Sequence, residues 1–247
     1  MEHPEEHPLS GGFVNDVVRV GATVRRPRSA RSAFVRDLLA LFEERGWRGA
    51  PRFLGTDERG REVFEYVEGR AALTPEERRA ARTDAALVRV AELVREFHDL
   101  SAGSALAGGM EVVCHNDLSP RNTVHAVGEP DRRPVAFVDW DIAAPGERVH
   151  DVAHVCWQYL DLGPTVTDVP EAARRIRLIR DAYGAVDSGR LVNTILWWQD
   201  RCWRGIEAGA LRGEPAMVRL REAGAPAEVR EAYRWVAAHR SELAAAL

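Results

Sequence analysis

The chain contains no lysine; all 34 of its basic residues are arginine. Genomic base composition is enough to produce such a bias, but the chemical consequence stands. No step can use an ammonium side chain, and every cationic contact falls to a planar guanidinium that stays charged. Cysteine is also scarce. Cys114, Cys156 and Cys202 are odd in number, widely spaced, and form neither a CxxC pair nor a zinc spacing. That excludes a disulfide framework and predicts a reduced, cytoplasmic setting. No apolar run approaches the ~20 residues needed to span a bilayer. Met1 to Ser10 lacks the basic and apolar regions of a signal peptide. A formal net charge of −4 gives no reason to expect nucleic acid or an anionic membrane as partner. There is no internal repeat and no low-complexity linker.

What is present fits a globular protein, with 45% hydrophobic and 29% charged residues in 247. That length allows one large domain or two small lobes. Phe13 to Val20 is rich in β-branched residues, Gly21-Ala22 marks a turn, and Thr23 to Arg26 can pair back as a hairpin that Pro27 ends. Ala33 to Arg45 places Val35, Leu38, Leu39, Leu41 and Phe42 on one helical face. Arg52 to Leu54 and Arg61 to Val67 read as strands around the turn at Asp57 to Gly60. After Gly69 the pattern becomes helical. Thr74-Pro75-Glu76-Glu77 is a helix start, with Thr74 as N-cap, Pro75 at N1 and Glu77 completing a capping box. A helix at about Asp84 to Leu100 precedes two short strands, Val112 to Cys114 and Val135 to Asp139. Helices are then expected over Asp151–Leu160, Glu171–Tyr183, Arg190–Ala208 and Ala227–Leu247. The reading is α+β: a small β-rich lobe over 1–69 and a larger, mostly helical lobe over 70–247. The hinge falls near Tyr66 to Gly69, and a ligand-binding cleft is expected between the lobes.

Two segments carry chemistry. Cys114-His115-Asn116-Asp117-Leu118-Ser119-Pro120-Arg121-Asn122 holds an H-x-D-x-x-x-x-N pattern, and Phe137-Val138-Asp139-Trp140-Asp141 follows it. Phosphoryl transfer needs one carboxylate to orient or deprotonate the attacking hydroxyl. It also needs an amide oxygen and a carboxylate to hold Mg²⁺ against the phosphates. The five-residue step from Asp117 to Asn122 lets a loop present both side chains to one point, and Asp139, at a strand end, can reach the same ion. Each element alone is common by chance; their order and company are not.

On these segments the chain resembles the aminoglycoside phosphotransferase and choline kinase superfamily, distant relatives of protein kinases. The likeness is sharpest in VCHNDLSPRNTV and FVDWDIAAPGERVHDVAHV. It implies a protein-kinase-like two-lobe fold, ATP and Mg²⁺ as cofactors and a hydroxylated small molecule as substrate. It implies Asp117 as catalytic base, Asn122 and Asp139 as metal ligands, and Asp141 as a supporting acid. His115 is implied as a loop brace and Asp151 as a structural buttress. His98, at a helix end, reads as packing. Leu9-Ser10-Gly11-Gly12-Phe13 looks like the loop that covers the nucleotide, so Ser10, Gly11 and Gly12 are candidate phosphate contacts. Backbone groups of Glu65 and Val67 are implied to hold the base.

The departures matter as much. Kinases of this type use a strand lysine on the phosphates, paired with a helix glutamate. Here the matching position falls on Arg25, or on Arg26 if the register slips by one, and alternation lets only one of them face the site. The helix partner is either Asp37 or, in the apolar register, Phe34. The segment before the catalytic loop is short, Ser101 to Glu111, so the C-terminal helices are expected to enclose the substrate. From Asp151 to Leu247 there are 13 acidic residues and 13 arginines, which does not advertise an acidic pocket for a polycation. Asn193, Trp197, Asp200 and Arg204 share a helical face. Trp197 and Asp200 are the candidate substrate contacts, against the plainer readings of a core tryptophan and an Asp200–Arg204 ion pair. Two functions follow from the sequence. One is an ATP-dependent small-molecule kinase, with antibiotic inactivation among its options. The other is a kinase-like binding or immunity protein that sequesters a ligand. The sequence leaves the oligomeric state unknown.

Overall fold

The structure is a computed structural model and describes residues 5–9, 17–128, 133–184 and 186–245. The chain divides into two compact units, Met1–Ala81 with Glu96–Glu147, and Arg82–Arg95 with Arg148–Leu247.

The first unit holds an antiparallel sheet in the order β1-β2-β3-β5-β4. Its strands are β1 (His7–Pro8), β2 (Val18–Val20), β3 (Thr23–Arg26), β4 (Phe53–Thr56) and β5 (Glu62–Glu65). The expected hairpin is present, with Val18 opposite Arg25 and Val20 opposite Thr23. Phe13 to Asp16, expected to extend β2, lie outside the described residues. β3 pairs with β5 so that Arg25 stands opposite Val63 and Arg26 opposite Glu62. Helix α1 (Ser32–Glu44) buries Val35, Leu38, Leu39 and Phe42, the face its periodicity predicts. After β6 (Arg70–Ala71), helix α2 (Pro75–Ala80) begins with the expected capping box. The Glu77 N–H donates to Thr74 Oγ1, and the Thr74 N–H donates to the Glu77 carboxylate. Gly69 is required before β6. Its φ is +149°, and a Cβ there would lie 2.4 Å from Val124 Cγ1 and 2.6 Å from the His125 carbonyl oxygen.

The rest of this unit is the C-terminal end of α3 (Asp84–Ser101), a 3-10 turn at Ala105–Ala107, and four short strands. These are β7 (Val112–Cys114), β8 (Thr123–His125), β9 (Pro134–Phe137) and β10 (Ala144–Gly146). They form a β6-β8-β9 sheet and a β10-β7 pair. An aromatic cluster lies beneath the loops. The Trp140 ring is 4.4 Å from His115, 5.1 Å from Phe97 and 5.2 Å from Phe42, all largely edge-on or tilted. His98 is buried and packs edge-on against Phe97, as expected of a packing residue.

The second unit is helical. It contains the start of α3, then α4 (Arg148–Leu160), α5 (Val169–Tyr183), α6 (Ser188–Leu211), α7 (Pro215–Glu222), α8 (Ala225–Ala238) and α9 (Arg240–Ala245). α6 is its centre, with α4, α7, α8 and α9 packed on it. The single terminal helix expected from Ala227 onward is instead two. α8 ends at a C-cap on His239, whose ring Nδ1 lies 2.9 Å from the Trp235 carbonyl. Among the described residues no helix is long and apolar enough to cross a membrane.

Candidate active site

The loop between β7 and β8 is pinned from below. His115 is wholly buried. Its Nε2 lies 3.0 Å from the Val138 carbonyl, and its Nδ1 receives the Asp117 N–H at 3.3 Å. A carbonyl needs a donor and an N–H needs an acceptor, so the ring carries its proton on Nε2. One imidazole therefore ties the Asp117 backbone to the strand leading into Asp139.

Asn122 closes the loop. Its Nδ2 donates to the Asp117 carboxylate Oδ2 at 2.8 Å and to the Asp117 carbonyl at 2.9 Å. With both amide hydrogens given to Asp117, the amide oxygen is the part of Asn122 left to meet a cation. The Val138 N–H donates to the Asn122 carbonyl at 2.9 Å, continuing the β8–β9 pairing and setting Asp139 one residue beyond. Asp139 is exposed and holds φ at +64°, a left-handed conformation that few non-glycine residues adopt. Asn116 does the same at φ +67°, and its side-chain amide donates to the Ile142 carbonyl at 3.0 Å. Backbone strain of this kind concentrates at functional loops.

The electrostatics centre on Arg26. Its Nη1 lies 2.5 Å from Asp141 Oδ1, its Nε 3.6 Å from Glu62 Oε2, and its guanidinium carbon 4.7 Å from the centre of the Phe64 ring. Arg31 adds a second tie by donating to the Ala143 carbonyl. Crowding by surrounding groups pushes the Asp139 carboxyl above its ordinary range. The Asp141 charge pushes the same way and Arg26 opposes both. Glu62 and Asp141 thus share one guanidinium, whose charge Asp139 also feels. An amide oxygen beside carboxylates is an all-oxygen donor set, and its local excess of negative charge suits a hard dication such as Mg²⁺. The residues present fit that ion.

The sequence favoured Arg25 at the lysine position, and the structure places it elsewhere. Arg25 points to the opposite side of β3 and lies 3.4 Å from Asp57. Arg26 is the residue that reaches the acidic loop. Strand alternation makes the choice exclusive. Neither helix candidate supplies a partner: Asp37 is exposed on α1 and Phe34 is apolar. The partner is Glu62, 2% exposed, which sequence reasoning missed. A signal was there, since Glu62 and Phe64 share one face of a strand whose other apolar residue, Val63, faces away.

The other predicted residues are more scattered. Ser10, Gly11 and Gly12 lie outside the described residues. At the expected base-binding segment, the Glu65 N–H donates to the Arg52 carbonyl and the Tyr66 N–H to the Ala22 carbonyl. The Val67 N–H has no backbone partner among the described residues. Asp151 is fully buried on α4. In the second unit Trp197 is 44% exposed and stacks on His150 at 5.1 Å. Asp200 pairs with Arg204 at 2.9 Å. The core residue of the tryptophan pair is Trp198, which donates to the His150 carbonyl at 2.7 Å.

The fold is that of the protein-kinase-like class. Residues 102–187, which carry both motifs, match the phosphotransferase enzyme family. The chain is 29% identical over 203 aligned residues to the trifolitoxin immunity protein of Rhizobium leguminosarum bv. trifolii, covering 73% of this chain and 74% of that one. Its fold is similar to the aminoglycoside phosphotransferase APH(2")-IIia solved with GDP and kanamycin, at 15% identity and a TM-score of 0.64 over 97% of this chain and 95% of that chain. A choline/ethanolamine kinase family protein from Mesorhizobium loti is similar at 17% identity and a TM-score of 0.58, over 94% and 92% of the two chains. The likeness to aminoglycoside phosphotransferases and choline kinases first read from two motifs thus extends over the whole fold.

Proposed function

We propose that the protein transfers the terminal phosphoryl group of ATP to a hydroxyl of a small molecule, with Mg²⁺. The observation that carries this is the clasp of Asp117 by Asn122, with Asp139 held in a strained conformation at the end of the adjoining strand. A protein that only bound a ligand has no evident need for that set. Asp117 receives the hydrogen bond of the acceptor hydroxyl and takes its proton as the oxygen attacks phosphorus. Asn122 fixes the rotation of that carboxylate, and His115 fixes the backbone beneath it. Asn122 and Asp139 would hold Mg²⁺, which would offset the negative charge of the phosphates. Arg26 takes the place of the lysine on the non-transferred phosphates, with bidentate geometry open to it. The Val67 N–H and the Glu65 carbonyl hold the base. The functional division at about residue 69, into a nucleotide-binding part and a catalytic and substrate-binding part, belongs to this proposal, as do a buttressing role for Asp151 and acceptor contacts at Trp197 and Asp200. Most of the rate then comes from positioning and charge neutralisation.

The test is a screen of hydroxylated metabolites and antibiotics by thermal shift, followed by transfer of labelled γ-phosphate to the hits. Labelled product from the wild type and none from Asp117→Asn supports the proposal. The likeness to an immunity protein favours a second reading, ligand sequestration without turnover. Tight ligand binding that persists in both Asp117→Asn and Asp139→Asn, with no product from any form, would establish that reading instead.

A further inference from the structure

Glu62 is a buried carboxylate with a poor structural return. Only 2% of it is exposed, and its partner across the β3–β5 ladder is Arg26 at 3.6 Å, too far for a hydrogen bond. Among the described residues, neither Glu62 Oε2 nor Arg26 Nε has a hydrogen-bond partner. A buried ion pair of such geometry recovers little of its desolvation cost, and a neutral, well-packed pair would stabilise the sheet more. The arrangement does something else well. Glu62 and the Phe64 ring hold the guanidinium from β5, and Asp141 holds its Nη1 from the loop. The side chain is kept straight and aimed at the acidic loop. The anion it now meets there is Asp141, whose side chain is 21% exposed against 2% for Glu62, although its contacting Oδ1 is buried.

Resting on the phosphotransferase reading above, we infer that Glu62 is the positioning residue for Arg26. In a chain without lysine it does from a strand what an acid on α1 does not do here. We infer also that Asp141 occupies Arg26 until a nucleotide phosphate displaces it. The exchange needs no backbone movement, because Glu62 and Phe64 keep their hold while Nη1 passes from one anion to another. It breaks the Asp141–Nη1 ion pair and forms a phosphate–Nη1 pair, with no net change of charge on the protein. It also makes metal and nucleotide binding interdependent. Phosphates entering without a dication meet the Asp139 and Asp141 carboxylates unshielded, and Arg26 is already engaged.

The test is calorimetric titration with ADP and with GDP, in Mg²⁺ and in EDTA, on the full chain. Glu62→Gln is expected to weaken the Mg²⁺–nucleotide complex about tenfold or more. Glu62→Asp, which keeps the charge but draws it back by one methylene, is expected to lose several-fold and covers the case in which the amide variant does not fold. Asp141→Asn is expected to raise affinity for nucleotide in EDTA by several-fold, an effect no merely structural role for Glu62 or Asp141 produces. Wild-type affinity in both Glu62 variants, or no gain for Asp141→Asn in EDTA, would overturn the inference while leaving the phosphotransferase proposal standing. Failure of the wild type to bind either nucleotide with Mg²⁺ would overturn both.

Discussion

Around the 115–122 and 139–143 loops, a buried Glu62 and a partly exposed Asp141 share Arg26, and Asp139 feels the charges of both Asp141 and Arg26. On the helices of the second unit the pairing is of another kind. Glu171 meets Arg174 at 2.6 Å and Arg175 at 2.7 Å, and Asp200 meets Arg204 at 2.9 Å, each one helical turn away and partly exposed. Pairs of that second sort contribute little, being screened by solvent, and could be lost with little consequence. The first sort is costly to keep. Charges retained at a cost, beside two residues with left-handed backbones, mark the candidate site. Charges paired on a helix surface mark a solvated face.

Substitutions can break this contrast at either end. The largest effect is expected for Asp117→Asn. Phosphoryl transfer should fall roughly a thousandfold in a single-turnover assay, with nucleotide affinity nearly intact, because only a general base is lost. Next come the two neighbouring arginines. Arg26→Ala should weaken Mg²⁺–nucleotide affinity at least about tenfold, as loss of a charged phosphate contact does, and Arg25→Ala less than about twofold, since Arg25 faces Asp57. Equal effects would show that β3 presents its other face.

A stability measurement sharpens the contrast further. The folded Asp139 carboxyl is raised above its unfolded value, so its ionisation disfavours the fold, and that penalty is fully present only above the raised value. Asp139→Asn should therefore raise the thermal midpoint at pH 7 in metal-free buffer, and the gain should vanish as pH falls toward the ordinary aspartate range. The smallest effect is expected for Glu171→Gln. The Arg174 hydrogen bond, with Arg175 adding to it, lowers the Glu171 carboxyl to about 2. Its contribution is present above the ordinary glutamate range and lost as pH falls toward about 2. Because this side chain is more than a third exposed, solvent screening should hold the shift in midpoint at pH 7 to within about 2 °C.

Much of the fold was readable because local rules and tertiary packing agree. Thr74 and Glu77 form the capping box their spacing announces. The α1 face follows its 3.6-residue period, and the 115–122 loop follows the strand expected at Val112–Cys114, although β8, which closes it, was not expected. The failures have physical reasons. Val24-Arg25-Arg26 is symmetric in charge, so sequence does not reveal which arginine faces the loop; only pairing with Glu62 and Phe64 decides it. β10 contains Pro145 and Gly146, which argue against a strand, yet its pairing with β7 overrides them. The break at His239 falls in a run of good helix formers and carries no glycine or proline to announce it. Glu62 escaped notice because a glutamate at a strand end is usually solvated.

Calorimetric titration of the wild-type chain with ADP and GDP, with and without Mg²⁺, tests the account most directly. It predicts binding of at least one nucleotide in Mg²⁺ that disappears in EDTA and in Asp139→Asn. Binding of equal strength without the ion, or no binding of either nucleotide with it, would contradict the account.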